Sequence, residues 1–498
     1  MNNDLKDLQK LLDKRRRLAN AASIISYDLE TICPKKGMSY ESDTLTMLSS
    51  EMFKISSSKE FKDLIVKLYK EKDSLEYLDR VYVEKEYKDY LKEKNITPEL
   101  NLKATNIYNE AFVKWIDAKN KKDFSLFAPY LKKVVDVSKE LMNTRENKLS
   151  NMYDNFIDDF EEGFTTKDLD KFFADLKAGI LELLARIKTS KHVIRSDFLT
   201  RFVPIYKQEE FSNYLLETNG FDFSRGAITT TEHPFTDDIG KDDVRVTTHY
   251  FTNLFISNIF SVIHEGGHAI FAQQQTDELF KHNLDNKMSM GMHESVSRFY
   301  ENIIGRSKEY IHLIYPKFHE LFKEELGDVS ENELYEGVNL VTPSLVRTEA
   351  DEVTYCIHII IRYEIEKELI NNNLDVNKVP ELWNKKYQEY LGVSPKDDKE
   401  GCLQDVHWCS GFGYFPSYAI GNAYNSMYFE KMNKEIDVKK IISEGKMNEI
   451  ISWLKENTFK KSNILNDKEW LKDLTGESLS ASSFIKYLDV KYSDIYKI

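Results

Sequence analysis

The chain has 498 residues, of which 41% are hydrophobic and 31% charged, and a formal net charge of −14; that acidic balance argues against a nucleic-acid partner, which needs a concentrated basic face. With only 19 Gly and 10 Pro and no Ser/Gly/Pro-rich linker, residues 1–498 are expected to form one continuous, mainly α-helical domain. No apolar signal core opens the chain, its longest apolar stretches carry His, Glu or Asn, and its four cysteines are scattered, so neither secretion nor membrane spanning is expected and a reducing cytoplasm is the simplest setting.

Near the start, Leu5, Leu8 and Leu12 recur at helical spacing. Lys14-Arg15-Arg16-Arg17 is the one dense basic cluster, and with Asp4, Asp7 and Asp13 around it reads as a solvated helix turn. Residues 227–250 break the helical pattern: Ala227–Thr231 and Val244–Thr248 are β-branched runs around a polar turn, which predicts a small β-hairpin whose edge suits strand addition by a peptide.

Just beyond lies His264-Glu265-Gly266-Gly267-His268, between the apolar runs Ile259–Ile263 and Ala269–Ala272 with no proline. On a helix the two histidines share a face and can bind one metal, while Glu265 reaches a water on that metal. Two glycines weaken a helix interior by about 1 kcal/mol each relative to alanine, so something is expected to approach the backbone closely there. A catalytic zinc takes three protein ligands and keeps one position open. Phe271 stands where a metzincin has glycine, so the third ligand is sought among Glu278, Glu294 and Glu301. Glu294 is preferred, because Met288–Arg298 is apolar and rich in small residues. Its competing role is an i,i+4 pair with Arg298. Further on, Tyr355, Ile359 and Tyr363 predict another helix.

These segments resemble the carboxypeptidase Taq family of zinc metallocarboxypeptidases, M32, which joins H-E-x-x-H to an H-E-S-x-S segment matched here by His293–Ser297. His233-Pro234-Phe235 resembles its H-P-F, and Asp243-Val244-Arg245-Val246-Thr247 its D-x-R-x-T. Val346-Arg347-Thr348-Glu349-Ala350-Asp351 is similar to I-R-x-x-A-D, and Gly401–Trp408 to G-x-x-Q-D-x-H-W. The resemblance implies Glu294 as third ligand, a helical body with a deep cleft between two lobes, a homodimer, and peptide substrates with a free C-terminus. It also implicates Arg347 in carboxylate recognition, with Arg245 second; each has a structural alternative, as a clamp to Asp351 or Asp243. By analogy with helical zinc peptidases, His407 and Tyr418 are expected opposite the metal, with Tyr414 in reserve. The expected cofactor is one Zn2+ per chain, replaceable by Co2+ or Mn2+.

Three departures stand out. Val296 replaces a usual glutamine, His249 stands where arginine is common and so introduces a pH-dependent charge, and Trp408–Tyr414 is one residue short. Cys402 and Cys409 are expected to be free thiols, and Asp351, Asp405 and His358 to be supporting groups. The alternatives are a helical oligoendopeptidase and a non-catalytic zinc-stabilised protein; the latter has no need of Glu265.

Overall fold

The periodic apolar stretches fold as helices, and the computed structural model, which describes residues 3–240 and 242–498, is mainly helical with one three-stranded sheet. Helix α1 (Asn3–Thr31) turns Leu5, Leu8 and Leu12 toward α2 (Lys59–Lys70) and α3 (Tyr77–Glu93). There Phe61, Ile65, Leu68, Tyr82 and Val83 complete a small core with Leu279 and Leu284. The basic run on α1 is more than a solvated turn. Arg15 pairs with the buried Glu86 of α3 at 3.1 Å, while Arg16 donates to the Phe280 carbonyl at 3.2 Å and pairs with Asp285. Its neutralising acids come from distant segments, which local charge pattern does not reveal.

A second, larger core holds α4 (Ala128–Thr144), α5 (Ile205–Asn219), α6 (Phe255–Gln273), α7 (Met290–Arg298), α8 (Tyr355–Asn371) and α9 (Phe415–Met432). Among the described residues no helix is long and apolar enough to cross a membrane.

The sheet lies against α6 and comprises β1 (Gly226–Thr230), β2 (Thr236–Gly240) and β3 (Asp243–Thr248), in the order β1-β3-β2. The two β-branched runs do pair, but in parallel, with Ala227 opposite Arg245 and Thr229 opposite Thr247; the simple hairpin expected from them is therefore corrected. The intervening chain adds a strand of its own, which runs antiparallel on the other side of β3 with Thr236 opposite Val246. Asp237, Asp238 and Gly240 have poor β propensity, so β2 carries little signal of its own. Alternation along β3 buries Val244 and Val246 and turns Arg245 to the opposite face.

Candidate metal centre

The two glycines of α6 have different neighbours. A β-carbon on Gly267 would lie 2.8 Å from Ser297 Cα and 3.2 Å from Val296 O, both backbone atoms of α7. One on Gly266 would meet the Leu216 side chain of α5 at 2.8 Å. The close approach expected at these positions is thus the packing of α7 across α6, which carries Glu294 to the histidines. Helix α7 starts at Ser289, whose hydroxyl accepts from Met292 N, and the fully buried Glu161 accepts from Gly291 N at 2.6 Å. It continues as a π-helical turn over Phe299–Ile304, a widened turn of the kind found at functional sites.

His264 Nε2 lies 3.8 Å and His268 Nε2 3.7 Å from Glu294 Oε2, and the three residues form a cluster able to hold a metal ion. Ligands about 2.1 Å from a tetrahedral centre stand about 3.4 Å apart, so this donor set fits a zinc-class ion after slight contraction. Both outer imidazole nitrogens are held. His264 Nδ1 donates to Glu301 Oε2 at 2.9 Å, and His268 Nδ1 lies 2.6 Å from His293 Nδ1. These contacts leave each Nε2 free for a metal. Glu301, a candidate ligand by sequence, therefore orients His264 from behind. Burial opposes its ionisation, yet Arg298, His264 and Arg306 hold its carboxyl well below the usual range. The pair of Glu294 with Arg298 also exists, at 2.8 Å through Oε1. It is buried, and it leaves Oε2 to the histidines.

Glu265 follows His264 on the same helix and is 8% exposed. Burial raises its pKa, and Thr236 of β2 donates to its Oε2 at 2.8 Å.

Facing this wall is a second one built from segments far apart in the chain. A β-carbon at Gly421 of α9 would lie 3.0 Å from Glu294 Cγ, so α9 packs directly on Glu294. Tyr418, one turn earlier, shares that face. Its hydroxyl is 3.4 Å from His407 Nε2, and its ring meets Tyr414 edge-on at 5.2 Å. Arg298 bridges the walls by lying 3.7 Å over the Tyr355 ring, which itself meets Tyr418 edge-on. The short segment between His407 and Tyr414 is fastened by one buried carboxylate. Glu366 of α8 accepts from Trp408 Nε1 at 2.9 Å, Gly413 N at 2.8 Å and the Tyr153 hydroxyl at 2.6 Å, and burial pushes its pKa to about 7. Gly413 adopts φ +87°, and a β-carbon there would lie 2.5 Å from Phe156 O, so this turn requires glycine.

Arg347 belongs to this wall but not in the clamp considered from sequence. It pairs with Asp405 at 2.9 Å, whereas Asp351 instead accepts from Thr342 N, Val353 N and Thr354 N. Asp405 is shared with the fully buried Arg362, so two guanidiniums face one carboxylate and a net positive charge remains beside Tyr418. The Arg347 Nη1 edge has one long contact, 3.4 Å to the Tyr355 hydroxyl. His407 is held down to about 4 by burial, with Arg347 and Arg362 reinforcing it and Asp405 opposing, so it is neutral near pH 7.

Other sequence candidates lie elsewhere. Arg245 faces α1, clamped to Asp243 at 2.8 and 2.9 Å with its guanidinium 5.0 Å over the Tyr27 ring; the structure does not bring it to the metal cluster. His249 is half-buried against Ser257 Oγ at 2.8 Å, and burial lowers its pKa, so the expected pH-dependent charge gives way to a neutral ring. His358 is buried against the Tyr387 hydroxyl, and all four cysteines are free. Sequence reasoning missed Thr236, His293, Arg362 and Glu366 as supporting groups. Arg298 alone had a local signal, its helical spacing from Glu294, and the pair read from it is present.

Comparison with known proteins agrees with this geometry. The model of the carboxypeptidase Taq (M32) metallopeptidases matches residues 7–492. Carboxypeptidase 1 of Bacillus subtilis is 39% identical over 494 residues, covering 99% of this chain and 98% of the relative. Thermostable carboxypeptidase 1 of Thermus thermophilus is 33% identical over 503 residues, with 98% of each chain covered. The crystal structure of an M32 carboxypeptidase from Deinococcus radiodurans superposes with a TM-score of 0.96 at 27% identity, covering 100% of both chains.

Proposed function

We propose, from the premise that the chain belongs to the carboxypeptidase Taq (M32) metallopeptidase family and is a metallocarboxypeptidase, that it uses one Zn2+ to release single residues from free peptide C-termini. The observation that carries this reading is the convergence of His264 Nε2, His268 Nε2 and Glu294 Oε2 beside the carboxylate of Glu265. Those three atoms would hold the metal, which when bound supplies Lewis acidity and an activated water; Co2+ or Mn2+ would fit the same donors.

Glu265 takes the proton of the attacking water and returns it to the leaving amine, a task suited to a buried carboxyl of raised pKa. Tyr418 and neutral His407 donate to the developing oxyanion, with Tyr414 packed behind Tyr418. The under-used Nη1 edge of Arg347, with net positive charge around it, receives the substrate's terminal carboxylate. On this reading residues 1–498 act as one catalytic domain with its cleft between the two walls, and the active species is a cytoplasmic homodimer; free cysteines support a reducing compartment.

Mass spectrometry of products from paired free-acid and C-terminally amidated peptides tests the reading. Stepwise loss of single residues from the acids alone is expected. Internal cleavage of both would replace it with an oligoendopeptidase.

A further inference from the structure

The Glu265 carboxylate has a single hydrogen-bond donor among the described residues. Thr236 Oγ1 stands 2.8 Å from Glu265 Oε2 and 2.8 Å from the main-chain oxygen of the same residue. No described residue donates a hydrogen bond to Oε1. The hydroxyl sits where it does because of the sheet. Thr236 opens β2 opposite Val246, whose buried side chain marks the face turned toward α6. The residue before it is anchored at both ends, since Phe235 N donates to Thr247 Oγ1 at 2.7 Å and Phe235 O accepts from Thr247 N at 2.8 Å. A threonine hydroxyl delivered by a strand thus reads the position of one helical turn and one carboxylate oxygen together.

We propose that Thr236 is a positioning residue for the general base, fixing Glu265 through Oε2 so that Oε1 is the oxygen that exchanges the proton. This rests on Glu265 being the base. A glutamate side chain has three rotatable bonds, and holding one oxygen removes most of that freedom before substrate arrives. The main-chain oxygen, at the same distance, shares the single hydroxyl proton and keeps Thr236 Oγ1 beside this turn of the helix. It also gives the small sheet a part in catalysis beyond covering the core, since any shift of β2 along β3 would release the base.

The test uses the metal-loaded full-length protein. Thr236→Val keeps the shape and removes the hydroxyl; it should lower kcat about tenfold, the effect of one hydrogen bond to a charged group, with KM and bound metal within twofold of the parent. Thr236→Ser should restore at least half of kcat. In a Glu265→Gln background Thr236→Val should cost nothing further, because its effect passes through the base. An unchanged kcat in Thr236→Val, failure of serine to rescue, or an additive loss in the double variant would each overturn the proposal. A Glu265→Gln variant that turns over normally would instead remove the base assignment itself.

Discussion

The two walls of the site are organised by different means. The α6–α7 wall is the more local: helical pitch alone spaces His264, Glu265 and His268 along α6, and Glu294 comes from the neighbouring α7. The wall of Arg347, Asp405, His407 and Tyr418 is assembled through contacts between distant segments, such as that of Arg347 with Asp405, 58 residues apart. The first wall therefore depends chiefly on its donor atoms and on the close packing of α7 across Gly267. The second depends on a charge network and on one buried carboxylate, Glu366, that holds its turn from behind.

The largest effect that separates them is on metal. His264→Ala, His268→Ala or Glu294→Ala should abolish stoichiometric zinc and all turnover, whereas Glu301→Ala, which frees His264 Nδ1 and takes a carboxylate from Arg298 and Arg306, should weaken metal affinity by about 10- to 100-fold. Competition with a chelator measures both. Retention of tight metal by Glu294→Ala would break the assignment of the first wall. Next in size, Glu265→Gln should keep the metal and lower kcat by ~10² or more.

On the second wall, Arg347→Ala should reduce kcat/KM for free-acid peptides ~10²-fold, equivalent to roughly 2 to 3 kcal/mol. Amidated peptides should lose far less, and lysine should rescue only in part, because it lacks the bidentate fork. Asp405 still has Arg362 in that variant, so the network is not emptied of positive charge. Equal losses for both substrates would show Arg347 to be purely structural.

Stability distinguishes the walls further. Gly267→Ala must push against α7 backbone and should cost about 1–3 kcal/mol in denaturant unfolding, despite the helix-propensity gain. Gly266→Ala meets only the movable end of Leu216 and should cost less. For the second wall, His407 has an ordinary pKa of 6.5 that folding depresses to about 4. The unfolded chain therefore takes up a proton that the folded chain refuses as pH falls from 6.5 toward 4. Its stabilising contribution is complete above pH 6.5 and lost through that window, about 2 kcal/mol between pH 7 and pH 5. Metal-free His407→Gln should lack that part of the acid loss when unfolding is compared at the two pH values; an unchanged acid loss would show that His407 already protonates normally.

What the sequence determined by itself was whatever repeats within one helix or one short segment. The stripe of Leu5, Leu8 and Leu12 and the His264–His268 spacing were legible there, because a helix places residues three and four apart on one face whatever else the chain does, while the apolar, small-residue surroundings of Glu294 marked it only as a candidate. Tertiary structure alone decided pairings between distant segments. It made β1 and β3 parallel by inserting β2, gave Arg347 to Asp405 and not to Asp351, and tied Arg15 and Arg16 to Glu86 and Asp285. It also set Thr236 on Glu265. Each such pairing is chosen by which surfaces the packed cores bring together, and neither the charge of an arginine nor the hydroxyl of a threonine specifies its partner in advance.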